Sequence, residues 1–168
     1  MTRRMSRRAD YEELLVTPDN EAAPVLVVRR EIAAPRERVF RAWLDSEGMA
    51  HWMRPEKFED SMVTVDPRVG GGFRVAMVGP NHNTVEHWGE YLRIEPPSLL
   101  SFTWISKNTD NQRTVVTIEF RELGTGTELV LTHRGLPARQ VEGHRAGWTE
   151  IVGVLEGWMK GRAASSSS

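Results

Sequence analysis

Glu90 and His133 are the two side chains whose sequence surroundings best suit acid–base chemistry. Glu90 has Trp88 and Leu92 as its neighbours at two-residue spacing, which in an extended strand places all three on one face. A carboxylate on an apolar face loses hydration, so its pKa rises and it can exchange a proton near neutral pH. His133 follows Leu131 at the same spacing. The competing interpretations are that Glu90 pairs with an arginine or is turned outward by a bulge, and that His133 is a surface residue or a backbone partner.

Other catalytic sets are missing from the sequence. The chain has no cysteine, which excludes disulfides, thiol nucleophiles and thiolate zinc sites. Its five histidines show neither H-x-H nor H-E-x-x-H spacing, so we expect no metal and no cofactor. The triple glycine at 70–72 precedes a strand pattern and lacks a following Lys-Ser/Thr pair, which argues against a phosphate-binding loop.

Charge and hydropathy exclude several partners. Lys and Arg number 22 and Asp and Glu 23, a formal net charge of -1, so no global field favours nucleic acid. No apolar run approaches the ~18 residues of a membrane span, so we expect no membrane insertion and a cytoplasmic location. In its 168 residues we predict a flexible arm over 1–22, a single domain over 23–161 and a disordered Ser-rich tail over 162–168.

The strongest periodic pattern lies at residues 144–160. Its large apolar side chains fall within an arc of roughly 120° on a helix, a stripe that needs a partner surface. Gly147, Gly153 and Gly157 weaken the helix by up to ~1 kcal/mol each, so packing must stabilise it.

The preceding residues predict the partner surface. Residues 25–32 suit a strand, Pro35 begins a short helix and a second helix covers 46–53, after which apolar and polar residues alternate in strand-length segments as far as His133. This order indicates an α+β fold, an antiparallel sheet with helices on one face. Alternation predicts the following residues on the concave face of the sheet: Phe73, Val75, Met77, Trp88, Glu90, Phe102 and Trp104.

Several segments together resemble a known family. They are APRERVFRAW at 34–43, HW at 51–52, DPRVGGGFR at 66–74, GEYLRIEPP at 89–97, LLSFTW at 99–104, GTELVLTH at 126–133 and GW at 147–148. Their order, over about residues 25 to 160, resembles the activator-of-heat-shock-protein-90-ATPase-like family of the START/SRPBCC superfamily. The resemblance implies a helix-grip fold, in which a curved antiparallel sheet wraps a long C-terminal helix, with an apolar cavity between them in many members.

The expected function is therefore binding of an apolar or amphipathic small molecule of lipid, polyketide or aromatic type, by a monomer or homodimer. The predicted cavity residues are Trp43, Phe73, Val75, Met77, Trp88, Glu90, Phe102, Trp104, Trp148, Ile151, Val152 and Leu155. One alternative is an enzyme of the cyclase/dehydratase type that uses Glu90 and His133 for proton transfer. A second alternative is a protein-interaction module that regulates a chaperone.

Overall fold

A seven-stranded antiparallel sheet and one long helix make up most of residues 25–166, the part of the chain that the computed structural model describes. The strands are β1 (Leu26–Ile32), β2 (Asp60–Val65), β3 (Gly72–Val78), β4 (Thr84–Glu95), β5 (Leu99–Trp104), β6 (Thr114–Leu123) and β7 (Gly126–Arg134). They lie in the order β1-β7-β6-β5-β4-β3-β2, and the curved sheet holds the C-terminal helix. The predicted α+β helix-grip fold is confirmed. The arm over 1–22 lies outside the described residues.

Alternating side chains give the sheet one buried face. In β6, Val116, Ile118 and Phe120 are buried, as their alternation with polar residues predicted, and they face the helices. Thr117 and Glu119 lie between them on the other face and are partly exposed. Two faces of different polarity fix the register of the strand, because a slip of one residue would bury Glu119.

Two short helices close one end of the sheet. The first, α1 (Arg36–Ala42), follows Pro35, whose fixed φ of -60° suits the residue before a helix, and the second is α2 (Ser46–Trp52). Trp43 follows α1 and Trp52 ends α2, and their ring centroids lie 4.7 Å apart in an edge-to-face arrangement inside the core.

The long helix, α3 (Val141–Ser166), buries the predicted apolar stripe against the concave face of the sheet. Trp148, Ile151, Val152, Leu155 and Met159 are all buried. Trp158 lies at the edge of the stripe, partly buried, and stacks on His51 with ring centroids 5.0 Å apart.

The helix is longer at both ends than its sequence pattern predicted. It begins at Val141 and continues to Ser166, into the segment for which the sequence predicts a Ser-rich tail, while 167 and 168 lie outside the described residues. An ion pair between Arg30 of β1 and Glu156 of α3, with a nitrogen–oxygen distance of 2.7 Å, joins helix and sheet near the middle of α3.

Leu155→Ala should lower the free energy of unfolding by about 2–5 kcal/mol, because Leu155 is fully buried between helix and sheet and its loss leaves a cavity. Thr149→Ala, at an exposed position of the same helix, is the matched control and should change stability by less than about 0.5 kcal/mol. Urea denaturation of both variants measures the difference. Equal stabilities would mean that the stripe does not hold the helix on the sheet.

Candidate functional site

A cleft of about 410 Å³ opens where the first half of α3 passes the hairpin of β3 and β4. We call it the α3 cleft. Its floor is Trp104, from the end of β5, and Trp148 of α3, whose ring centroids lie 4.9 Å apart. Gly143 and Gly147 form part of the helical wall and contribute no side chains, which widens the opening. The walls also contain Met77, His87, His144 and Ile151.

The predicted cavity residues separate into groups in the structure. Four line the α3 cleft: Met77, Trp104, Trp148 and Ile151. Trp104 also borders an interior gap of only about 10 Å³, which three more of the predicted residues line: Trp43, Phe73 and Phe102. The buried residues Val75, Val152 and Leu155 line neither space. The interior between sheet and helix is therefore mostly packed, and the open volume lies at one end of it.

The prediction that Trp88 and Glu90 lie on the concave face was wrong. Trp88 is 41% exposed and Glu90 is exposed, both on the outer face of β4. A register shift between Tyr91 and Arg93 reverses the alternation within this strand. The apolar residues Trp88 and Leu92 suggested that even-numbered residues point inward, but before the shift the inward residues are odd-numbered: Val85, His87, Gly89 and Tyr91.

His133 is fully buried in a hydrogen-bonded chain that joins β7, α3 and β6. The indole N–H of Trp148 donates to His133 Nδ1 at 3.0 Å, and Nε2 of the same ring lies 2.7 Å from Thr114 Oγ1. An indole nitrogen can only donate, so Nδ1 accepts and the neutral ring carries its proton on Nε2. Thr114 Oγ1 accepts a hydrogen bond from this Nε2–H, and the Thr114 hydroxyl donates one to the backbone carbonyl of Trp104. Each side-chain N and O atom of Trp148, His133 and Thr114 therefore has a hydrogen-bond partner.

Burial holds His133 in its neutral form. Desolvation lowers its pKa well below 6.5, and the nearby ring of His144 lowers it further. Since both ring nitrogens are occupied, His133 cannot exchange protons with a molecule in the cleft in this arrangement. It instead orients Trp148, which forms part of the cleft floor.

His87 and His144 are the imidazoles that line the α3 cleft. Nδ1 of His87 lies 3.2 Å from the carbonyl oxygen of Val75, and Nδ1 of His144 lies 2.9 Å from that of Gln140. A carbonyl oxygen only accepts, so each Nδ1 carries the proton and each neutral ring presents Nε2 as a lone-pair acceptor. Neither Nε2 has a hydrogen-bond partner among residues 25–166.

Both cleft histidines are neutral near pH 7. Burial lowers the pKa of His87 to about 4, while its hydrogen bond to Val75 opposes the shift and the neighbouring His144 adds to it. Burial also lowers the pKa of His144 below 6.5, against the effect of the bond to Gln140. His87 also stacks on Trp104, with centroids 4.7 Å apart and planes 27° apart.

Sequence reasoning missed both of these histidines. Alternation through Phe73, Val75 and Met77 gives the inward face of β3, but only the pairing of Val75 with His87 transfers it to β4. His144 lies in the first turn of a helix whose start was placed too late. The usable signal was His87 at two-residue spacing from Gly89 and Tyr91, on the odd-numbered side of the strand.

The remaining wall of the cleft carries charged side chains of both signs. Lys57 and Glu150 both line it. The Glu150 carboxylate accepts a hydrogen bond from the backbone N–H of Glu56, and the Lys57 ammonium lies 5.4 Å from the ring centroid of Phe58. These contacts connect the segment after α2 to α3 and close one side of the cleft. Within the described part of the chain, no three His, Asp or Glu side chains cluster as metal ligands.

Residues 33–160 match the family model of the activator of Hsp90 ATPase homolog 1-like proteins. The chain belongs to this family. Family membership agrees with the SRPBCC helix-grip architecture and with a ligand-binding domain of that kind. No curated protein matches the chain.

Solved bacterial structures share the family fold. Protein CV1439 from Chromobacterium violaceum is 27% identical over 79% of this chain and 94% of its own, with a TM-score of 0.71. Protein NE0264 from Nitrosomonas europaea is 25% identical over 85% of this chain and 98% of its own, with a TM-score of 0.72. Protein MLL2253 from Mesorhizobium loti is 26% identical over 82% and 97%, with a TM-score of 0.67.

Thr114→Val should lower the free energy of unfolding by about 1–3 kcal/mol, because it leaves the buried Nε2–H of His133 without an acceptor while side-chain shape is kept. Thr132→Val, at a partly exposed position of β7, should cost less than about 0.5 kcal/mol. Chemical denaturation at pH 7 compares the two. If Thr114→Val left the free energy of unfolding unchanged, the chain of hydrogen bonds would not stabilise the fold.

His87→Gln should flatten the acid side of the stability profile. Below pH 6.5 the unfolded chain protonates this histidine while the folded chain does not until about pH 4, so the wild type loses stability as pH falls through that window. Between these two pH values, His87 alone lowers the free energy of unfolding by about 1.4 kcal/mol for each pH unit of acidification. Urea midpoints between pH 7 and about pH 4.5 measure it, with His82→Gln at an exposed position as control. Parallel curves for wild type and His87→Gln would contradict the assignment.

Proposed function

We propose that this protein binds an apolar or amphipathic small molecule in the α3 cleft. The observation that carries the proposal is an open volume of about 410 Å³ floored by two tryptophans, Trp104 and Trp148. Small-molecule sites typically occupy about 300–1,000 Å³ and combine apolar walls with a few placed polar groups. Met77 and Ile151 supply further apolar surface, and the two neutral imidazoles supply the polar groups.

The proposed site differs from the one predicted from sequence, which extended through the whole space between sheet and helix. The interior gap beside Trp43 holds about 10 Å³, the volume of roughly one water molecule. The proposed ligand therefore binds beside the first half of α3, in the α3 cleft. Its contacts come from Trp104, Trp148 and the two histidines rather than from the deep core.

The cyclase/dehydratase alternative does not gain support with its original residues. Glu90 is exposed on the outer face of β4, and both ring nitrogens of His133 are bonded within the protein. The two groups therefore do not meet a common substrate in the α3 cleft. A chaperone-regulating role rests on the family description alone, and no observation on the cleft favours it.

Hydropathy and charge bear on the partners of the protein. No helix among residues 25–166 combines the length and apolarity needed to cross a membrane. The near balance of charge gives no support to nucleic-acid binding. A cytoplasmic location and a monomeric or homodimeric state remain predictions from sequence.

Gly147→Leu should abolish or greatly weaken ligand binding. A Cβ at Gly147 meets no atom within 4 Å, so a larger side chain starts in open space and extends into the cleft that this residue lines. Binding is measured with protein purified from its own host, by native mass spectrometry for a co-purified molecule, and by tryptophan fluorescence and thermal shift against a library of apolar compounds.

Gly157→Leu is the matched control. Gly157 lies on the same helix, a Cβ added there would also meet no atom within 4 Å, and the residue does not line the cleft. Both substitutions remove a helical glycine, which favours the helix by up to ~1 kcal/mol, so lost binding in one variant alone cannot reflect unfolding. Equal ligand loading of both variants, or no ligand for wild-type protein, would refute the proposed site.

A further inference from the structure

The polar atoms of the α3 cleft point to the chemistry of its ligand. His87 on β4 and His144 on α3 are close enough for the charge on one ring to affect the other, and both line the same opening. The Nδ1–H of each ring donates a hydrogen bond to a backbone carbonyl, that of Val75 for His87 and that of Gln140 for His144. The backbone of β3 at Val75 and the backbone just before α3 at Gln140 therefore fix both rings in the same tautomer, with Nε2 as acceptor.

From this arrangement we infer that the ligand is a neutral ring compound bearing hydroxyl groups, phenol or alcohol, that donate hydrogen bonds to Nε2 of His87 and Nε2 of His144. The inference rests on the proposed function and adds the ligand class. A hydroxyl group can donate to a lone pair, whereas a ketone, ether or carboxylate oxygen at the same place would meet a second lone pair without a proton between them.

The other groups of the cleft favour a ligand without net charge. Within the described part of the chain, its wall has one cation, Lys57, and one anion, Glu150, and the latter already accepts a backbone hydrogen bond from Glu56. Among residues 25–166, no cluster of arginines lines the opening to hold a carboxylate or phosphate. The apolar body of the ligand has the indole surfaces of Trp104 and Trp148 to contact.

Contacts within the protein hold the indole and imidazole rings of the cleft in position. His87 stacks on Trp104, and the indole N–H of Trp148 donates to His133. Rotation of either the His87 ring or the Trp148 ring would therefore break a contact. A donor group that binds here meets acceptors already held in position, which reduces the ordering cost of binding.

The test compares two probes of the same ring system, 1,6-dihydroxynaphthalene and 1,6-dimethoxynaphthalene. Dissociation constants are measured by tryptophan fluorescence and isothermal titration calorimetry at pH 7 with full-length wild-type protein. We expect the diol to bind about tenfold more tightly, the usual weight of one or two hydrogen bonds between neutral groups. Gly147→Leu should remove binding of both probes, which places them in the cleft.

The histidine variants assign the preference to its residues. His144→Phe keeps an aromatic ring but removes the acceptor, so the ratio of the two dissociation constants should fall toward one, and His87→Phe should act in the same direction while keeping a ring to stack on Trp104. His82→Phe, at an exposed position, is the control and should keep the wild-type ratio. Because the ratio compares two probes on one protein, it is insensitive to a uniform loss of stability.

Each outcome separates this inference from the proposed function. Equal affinities for the two probes on wild-type protein, with Gly147→Leu still blocking both, would overturn the hydroxyl-donor inference and leave the binding site standing. A preference for the diol that survives in both His144→Phe and His87→Phe would also overturn it. Failure of both probes to bind wild-type protein would count against the proposed function and this inference together.

Discussion

The hydrogen bond between the indole of Trp148 and the imidazole of His133 is the contact on which the rest of the site depends. It joins the long helix to the sheet at a point where both partners are buried. Burial of the apolar stripe sets the rotation of α3 only to within the roughly 120° that the stripe covers, whereas a buried donor left without its acceptor costs about 1–3 kcal/mol. This directional bond therefore fixes how the helix is turned.

The rotation of α3 determines what the cleft contains. With Trp148 turned toward His133, the helical positions one turn before it, Gly143 and His144, border the opening. The ring of His144 then approaches His133 edge-on, with centroids 5.2 Å apart. Both rings are neutral because burial disfavours their charged forms, and neutrality lets them pack closely without repulsion. The same desolvation that permits the cluster makes it sensitive to acid.

Sequence patterns predicted the fold well where one rule governed a whole element. The apolar stripe of α3, the short helices after Pro35 and before Pro55, and the alternation of β6 all follow from unbroken periodicity and appear in the structure. Prediction failed in β4, because a single extra residue near Leu92 exchanges the two faces of the strand. Glu90 was placed inside because Trp88 and Leu92 flank it at two-residue spacing, but Leu92 lies at the shift and Trp88 is exposed. His87, on the other side of the strand, was overlooked for the same reason.

The site could not be predicted from sequence because its parts are joined by tertiary contacts and not by spacing. His87 and His144 lie 57 positions apart in the numbering, on different elements, and each is prepared by a backbone carbonyl that no motif records. A bonded Nδ1 converts an ordinary imidazole into a fixed acceptor, and this conversion depends on local backbone geometry. The family fold thus supplies a helix held against a curved sheet, and the strand register and the helix rotation decide which side chains line the opening.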